Sequence, residues 1–191
     1  MAGKKVVKNP SQKRTRYVED WELKEFLSVA SPFLTSYVAL KLALGLRKGD
    51  MLSIRIDQIS DEGLLVRPRK TLRSSGKSML FVWTDHLREC IKHALDVCPK
   101  PGNEYLFCNR FGSPYIKLNG TTSGFDSIWQ RAMVNALAKT ELRDRFTEHD
   151  LRAKVASDTS AQHAKELMGH SNQGTTDRVY RRKALAIKPA R

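Results

Sequence analysis

Residues 33–46, FLTSYVALKLALGL, run almost entirely apolar and carry a single charge, Lys41. A helix made from this stretch has no polar face to offer water, so it must be covered by the rest of the chain. Pro32 breaks whatever helix precedes it, and Gly45 supplies the stop. The run falls short of the ~20 apolar residues a bilayer crossing needs. The spacing therefore predicts a second, more buried helix ending near Gly45. A first helix comes before it, with Asp20 as N-cap and Leu23, Phe26, Leu27 and Ala30 at i, i+3, i+4 and i+7.

The hydrophobic period then changes. Ile54, Ile56 and Ile59 lie in a short β-like run, and Asp61, Glu62 and Gly63 form a turn. GLLVRPRK reads as a strand with Arg67 and Arg69 on one face and Val66 and Pro68 on the other. Pro68 marks it as an edge strand. Ser74-Ser75-Gly76 turns the chain into a returning strand, SMLFVW, which makes a basic hairpin. Helical periodicity resumes in TDHLRECIKHALDV and again from Thr122 to Lys139, with YLFCN and an FGSP turn between. Helices, a small antiparallel sheet, then helices describe an α+β, mainly helical domain. Residues 1–18 are basic, contain Pro10 and show no apolar period, so they read as an arm or linker, and 19–191 as one domain.

Lys plus Arg number 34 against 20 Asp plus Glu, a formal net charge of +14. Such a surplus implies a polyanionic partner, first of all double-stranded DNA. The basic N-terminus has no apolar stretch behind it, so it is not a secretory signal, and no membrane partner is expected. Cys90, Cys98 and Cys108 form no CxxC pair and are odd in number. Reduced thiols in a cytoplasm fit better than a disulfide or zinc framework, with Cys90 and Cys98 as core packing.

FTEHDLRAK holds the densest chemistry. Thr147 can cap a helix whose third position is Asp150, a capping-box-like start. His149 and Arg152, three apart, project together from its first turns, where free N–H groups already attract phosphate. Alone, the pair is a weak signal and a surface helix with incidental His and Arg fits it better. In ELMGHSNQGTTDRVYRRK, Gly169 stops a helix and leaves His170 at a corner. Tyr180 then sits on a short basic helix among Arg178, Arg181 and Arg182; a packing tyrosine is the plain alternative. In LALGLRKGD, Asp50 lies where a carboxylate could orient Arg47. A helix-end Arg facing the carbonyl dipole reads the same way.

The order of these pieces is more specific than any one of them. G-L-R-x-x-D, a Lys on a β-hairpin, H-D-L-R, G-H-S and T-T-x-x-V-Y together resemble the tyrosine recombinase (phage integrase) family along nearly the whole chain. The interval from Arg152 to His170 is shorter than the commonest family pattern. The interval from His170 to Tyr180 is one residue longer.

The resemblance implies the catalytic-domain fold of DNA breaking-rejoining enzymes. It also implies catalysis by Arg47, Lys70, His149, Arg152, His170 and Tyr180. Tyr180 would attack the phosphodiester to give a 3′-phosphotyrosyl intermediate, a bond a DNA hydroxyl can later reverse. Arg47, Arg152 and His170 would hold the phosphate oxygens, His149 would assist the phenolic proton, and Lys70 would protonate the leaving 5′-hydroxyl. Arg69, Arg73 and Lys77 share the hairpin with Lys70, and all four could instead contact phosphate. Lys48, Arg69, Arg73, Lys77, Arg178 and Arg181 are the expected DNA contacts. No cofactor or metal is expected. Other expectations are a monomer when free, a homotetramer on DNA, and a separate N-terminal DNA-binding domain missing from this chain, all in a bacterial or phage cytoplasmic setting. A topoisomerase- or resolvase-like relaxing enzyme shares this chemistry. A non-catalytic DNA-binding module would explain the charge but not the ordered site residues, and a metal-dependent nuclease fits least.

Overall fold

The buried run folds as predicted and organises everything around it. The structure is a computed structural model and describes residues 14–69, 78–168 and 182. After α1 (Asp20–Ser28), helix α2 spans Pro32–Leu44. Pro32 sits in the first turn, where its missing N–H costs nothing, and the Ser31 hydroxyl accepts the Leu34 N–H. Gly45 closes α2 in the left-handed conformation, φ 59°. Its bareness also matters, because a Cβ there would lie 2.9 Å from Met168 Cε and 3.1 Å from Val155 Cγ1. The N-cap of α1 is Glu19 rather than Asp20, since the Glu22 carboxylate accepts the Glu19 N–H at 2.9 Å.

The β-like run after α3 (Lys48–Met51) is only partly extended. Leu106 N–H bonds the Ile54 carbonyl and Ile56 N–H bonds that of Glu104. The Gln58 side chain then accepts the Arg55 N–H and rolls Ile56–Gln58 into a 3-10 turn. Strands β1 (Gly63–Val66) and β2 (Met79–Val82) pair antiparallel, Gly63 opposite Val82 and Val66 opposite Met79. Beyond β1 the alternation continues, with Pro68 buried and Arg67 and Arg69 exposed. The predicted hairpin turn at 74–76 lies outside the described residues.

The remaining helices are α4 (Asp85–Asp96), α5 (Ser123–Lys139), α6 (Glu148–Asp158) and α7 (Ala161–Met168). The α+β expectation, mainly helical with a small antiparallel sheet, therefore holds. The core between α1, α2, α5 and the loop before α6 is largely aromatic. Phe26 packs on Trp129 at 4.9 Å and on Phe146 at 5.3 Å, and Tyr37 on Phe125 at 4.4 Å between ring centroids. Cys90, Cys98 and Cys108 are free thiols, the last two with sulfurs 3.7 Å apart. Among the described residues, no helix is long and apolar enough to cross a membrane.

Helix α6, EHDLRAKVASD, has the composition of a surface helix but is buried from Glu148 to Ala156, His149 excepted. Its charges survive burial because each has a partner. Glu148 takes an ion pair from Lys41 of α2 at 2.5 Å and a hydrogen bond from the Tyr37 hydroxyl at 2.7 Å. Lys154 pairs with Asp20 at 2.5 Å and with Asp158 at 3.0 Å. Burial pushes the Lys41 ammonium below its ordinary value, and the Glu148 carboxylate partly restores it.

Lys41 and Glu148 thus lock α2 to α6. Breaking one side should cost far more than replacing both. Glu148→Ala is expected to lower unfolding free energy by about 3–5 kcal/mol, because it strands a buried ammonium. Lys41→Met combined with Glu148→Leu should recover most of that loss. Urea unfolding of the single and double variants measures both; a double variant no better than the single would remove the pair from this role.

Candidate active site

The start of α6 is held by its own side chains. Thr147 N–H and its hydroxyl both donate to Asp150 Oδ2, each at 2.8 Å, the predicted capping arrangement. This fixes the first turn, from which Glu148 turns inward and His149 outward. One turn later Arg152 enters the interior, only 1% exposed.

Arg152 joins two loops. Its Nη1 donates to the Gly45 carbonyl and its Nη2 to the Met168 carbonyl, the latter at 2.9 Å. The first carbonyl precedes Leu46-Arg47; the second closes α7, just before Gly169-His170 in the chain. Lys41 Nζ donates to the Leu46 carbonyl, so the turn leading to Arg47 is gripped at successive residues. Carbonyl oxygens are neutral acceptors, so they orient the Arg152 cation without cancelling its charge.

Arg47 lies beyond the end of α2 and caps α3, its side chain one-quarter exposed. Its Nη1 stands 3.9 Å from Asp50 Oδ2, the orienting carboxylate anticipated from the spacing. Asp50 is buried, and its Oδ1 accepts the Arg69 N–H at 2.9 Å. One carboxylate therefore links Arg47 to the base of the basic hairpin, one residue before Lys70.

His149 is exposed at the first turn of α6, one helical turn before the buried Arg152. Partial desolvation lowers its pKa first and the Lys41 cation next; Glu148 opposes them, and Arg152 and Arg182 add to the lowering. The imidazole is thus held in its neutral, proton-accepting form over more of the pH range.

Of the sequence-derived site residues, the structure gathers Arg47, His149 and Arg152 around the meeting point of α2, α6 and the end of α7. Arg69 is exposed beside them. Lys48, expected to contact DNA, forms an ion pair with Asp126 of α5 at 2.6 Å. The pair is partly exposed, so its net value is small. Lys70, Arg73, Lys77, His170, Arg178, Tyr180 and Arg181 lie outside the described residues.

Three contributors went unread in the sequence: Lys41, the full role of Asp150, and Arg182. Asp150 is completely buried and receives Arg14 (Nη2 to Oδ2, 2.7 Å) and Arg182 (Nη1 to Oδ1, 2.6 Å) as well as Thr147. Burial alone would raise its pKa, but hydrogen bonds from Arg14, Thr147 and Arg182 outweigh that and hold the carboxyl below its ordinary range.

The chain matches the model of the phage integrase family over residues 17–186. No curated protein sequence matches it. Among solved structures, it is similar to XerA recombinase, with TM-score 0.67 at 18% identity, covering 93% of this chain and 62% of that one. A lambda integrase (75-356) dimer bound to a COC′ core site gives TM-score 0.70 at 19% identity, covering 96% and 66%. The Tn1549 transposon integrase (aa 82-397) in complex with circular intermediate DNA gives 0.71 at 14% identity, covering 93% and 65%. The chain spans roughly half to two-thirds of the length of the proteins it resembles.

The Asp150 cluster makes stability depend on pH. Its carboxyl binds a proton less readily folded than unfolded, so its contribution is complete above the ordinary aspartate value of about 3.9 and is lost as pH falls further. Unfolding free energies of the wild type and Asp150→Asn should therefore differ most above about pH 4 and converge below it. Urea titrations at a series of pH values test this; a constant gap would show that the charge is irrelevant.

Proposed function

Since the chain belongs to the phage integrase family, we propose that it is the catalytic domain of a site-specific DNA recombinase that cuts and rejoins strands through a covalent bond between Tyr180 and a 3′-phosphate. The observation that carries this reading is the seat of Arg152. A buried cation, oriented by two neutral carbonyls, stands where the segments leading to Arg47 and His170 meet.

A scissile phosphate at that point would lie against Arg152, with Arg47 approaching from the α3 turn under the control of Asp50. Two guanidiniums on one phosphate stabilise the charge that grows on its non-bridging oxygens in the transition state. His170, next but one after Met168 in the chain, would add a hydrogen bond. A tyrosine hydroxyl has an ordinary pKa near 10, so it needs a base at neutral pH. His149, kept neutral by its surroundings, is the group suited to accept that proton.

The attack forms the Tyr180 Oη–phosphorus bond and expels the 5′-oxygen, which must take up a proton as it leaves. Lys70, next to Arg69 at the hairpin base, is the proposed donor. Rejoining is the reverse, with a 5′-hydroxyl displacing the tyrosine. Positioning, two fixed cations and proton transfer account for the chemistry without a metal ion in the mechanism.

Arg69 and Lys48, with Arg73, Lys77, Arg178 and Arg181, are proposed to track the DNA backbone, in keeping with the net charge of +14. One neighbour of similar fold is a lambda integrase tetramer bound to a Holliday junction. By analogy we propose a monomer free in the cytoplasm that assembles as a tetramer on DNA.

Incubation with a pool of nicked duplexes randomised around the nick, in chelator, should give a protein–DNA adduct on a denaturing gel. Tyr180→Phe should give none. Adduct that forms only with added Mg²⁺, or that survives in Tyr180→Phe, would sink the reading. Arg47→Ala should slow adduct formation by roughly 10²–10³-fold.

The wild-type rate should rise with pH through a midpoint below the ordinary histidine value of about 6.5, because protonated His149 cannot act as base. That acid limb should disappear in His149→Gln. A limb unchanged in the variant would assign it to another group.

A further inference from the structure

Arg182 stands two residues beyond Tyr180 in a run of cations, Y-R-R-K, that reads as a DNA-facing surface. The structure turns it the other way. Its side chain is only 6% exposed, and its Nη1 reaches Asp150 Oδ1 at 2.6 Å and the Arg16 carbonyl at 2.8 Å. Its backbone N–H donates to the Ser157 hydroxyl at 2.7 Å. Main chain and side chain are therefore both fastened to α6, one near each end of that helix.

Asp150 lies between His149 and Arg152 in sequence, so the carboxylate that holds Arg182 belongs to the same turn as the proposed base and phosphate ligand. Two residues of chain span at most about 7 Å. Anchoring Arg182 on Asp150 and Ser157 consequently limits where residue 180 can sit relative to α6. A surface cation recruited for phosphate would have no reason to spend its charge on a buried carboxylate.

From this we infer that Arg182 is a positioning residue for the nucleophile: its ion pair with Asp150 and its backbone bond to Ser157 hold the Tyr180 segment in register with His149 and Arg152. The inference rests on the reading of Tyr180 as nucleophile. Arg14 provides an internal comparison. It donates to the same carboxylate, at 2.7 Å, but from the opposite end of the chain. A merely structural role for the Asp150 cluster would make the two arginines equivalent.

The test uses the full chain and the nicked duplex pool at saturating DNA, with single-turnover adduct formation, DNA affinity by filter retention and thermal melting measured together. Arg182→Ala is expected to slow adduct formation by about 10²-fold, the scale of an ångström-sized misplacement, with affinity within about threefold of wild type. Arg182→Lys, which keeps the charge, should recover part of the rate. Arg14→Ala should lower the melting temperature comparably yet leave the saturated rate within about threefold.

Arg182→Ala that weakens DNA binding while sparing the saturated rate would make Arg182 a phosphate contact and overturn the inference. So would equal rate losses in Arg182→Ala and Arg14→Ala. Absence of adduct in the wild type, or its persistence in Tyr180→Phe, would instead overturn the Tyr180 reading and this inference with it.

Discussion

The buried guanidinium of Arg152 is the point on which the rest of the site depends. It takes the carbonyl that ends α2 and the carbonyl that ends α7, and so sets the distance between two loops far apart in sequence. A hydrophobic contact could bring those loops together but could not fix their direction. A planar fork with several N–H groups can, because each bond is directional and the group is rigid. Lys could not replace it, since an ammonium has no plane to orient two acceptors at once. In the function proposed above, the residue that assembles the site is also the one that meets the phosphate.

Such an arrangement requires α6 to carry charge into the interior, and the structure shows how the desolvation cost is offset. Glu148 faces Lys41 and Tyr37, Asp150 faces Arg14, Thr147 and Arg182, and Lys154 faces Asp20 and Asp158. Apart from Thr147 and Asp158, which belong to the cap and the end of α6 itself, the partners come from elsewhere in the chain: α2, the stretch before α1, the start of α1 and Arg182. Charge pairing of this kind is no stronger than apolar packing, but it is far less tolerant of slippage. Helix α6 is therefore placed by specific partners, while the aromatic cluster around Phe26, Trp129 and Tyr37 supplies bulk cohesion.

Much of this was legible in the residues. Apolar spacing located α2, α4 and α5, and Gly45 marked a left-handed stop that the structure confirms. The T-x-x-D at Thr147 foretold the cap of α6, and Asp50 the orientation of Arg47. The short Ile54–Ile59 run misled, because Gln58 satisfies the Arg55 N–H locally and rolls the chain where alternation suggested a strand. Lys41 and Arg182 were illegible for another reason. A cation facing water and a cation facing a buried carboxylate are the same letter; only the carboxylate's position, 107 residues from Lys41 in the case of Glu148, tells them apart.

That ambiguity bears on how a basic chain should be read. The net charge of +14 points to a polyanion, yet it does not say which cations meet it. Here Lys41 and Arg182 are committed to buried carboxylates, the buried Lys154 reaches out to Asp20 and Asp158 at the surface, Lys48 is shared with Asp126, and Arg67 and Arg69 are presented outward next to the hairpin. On the proposed function, the outward set would govern attraction to a phosphate backbone, which is long-ranged and insensitive to geometry. The inward set would govern whether the groups proposed to act on one phosphate are held at the right separation, which is short-ranged and sensitive to fractions of an ångström. One composition thus serves two jobs with different distance laws, and burial decides which job each cation has.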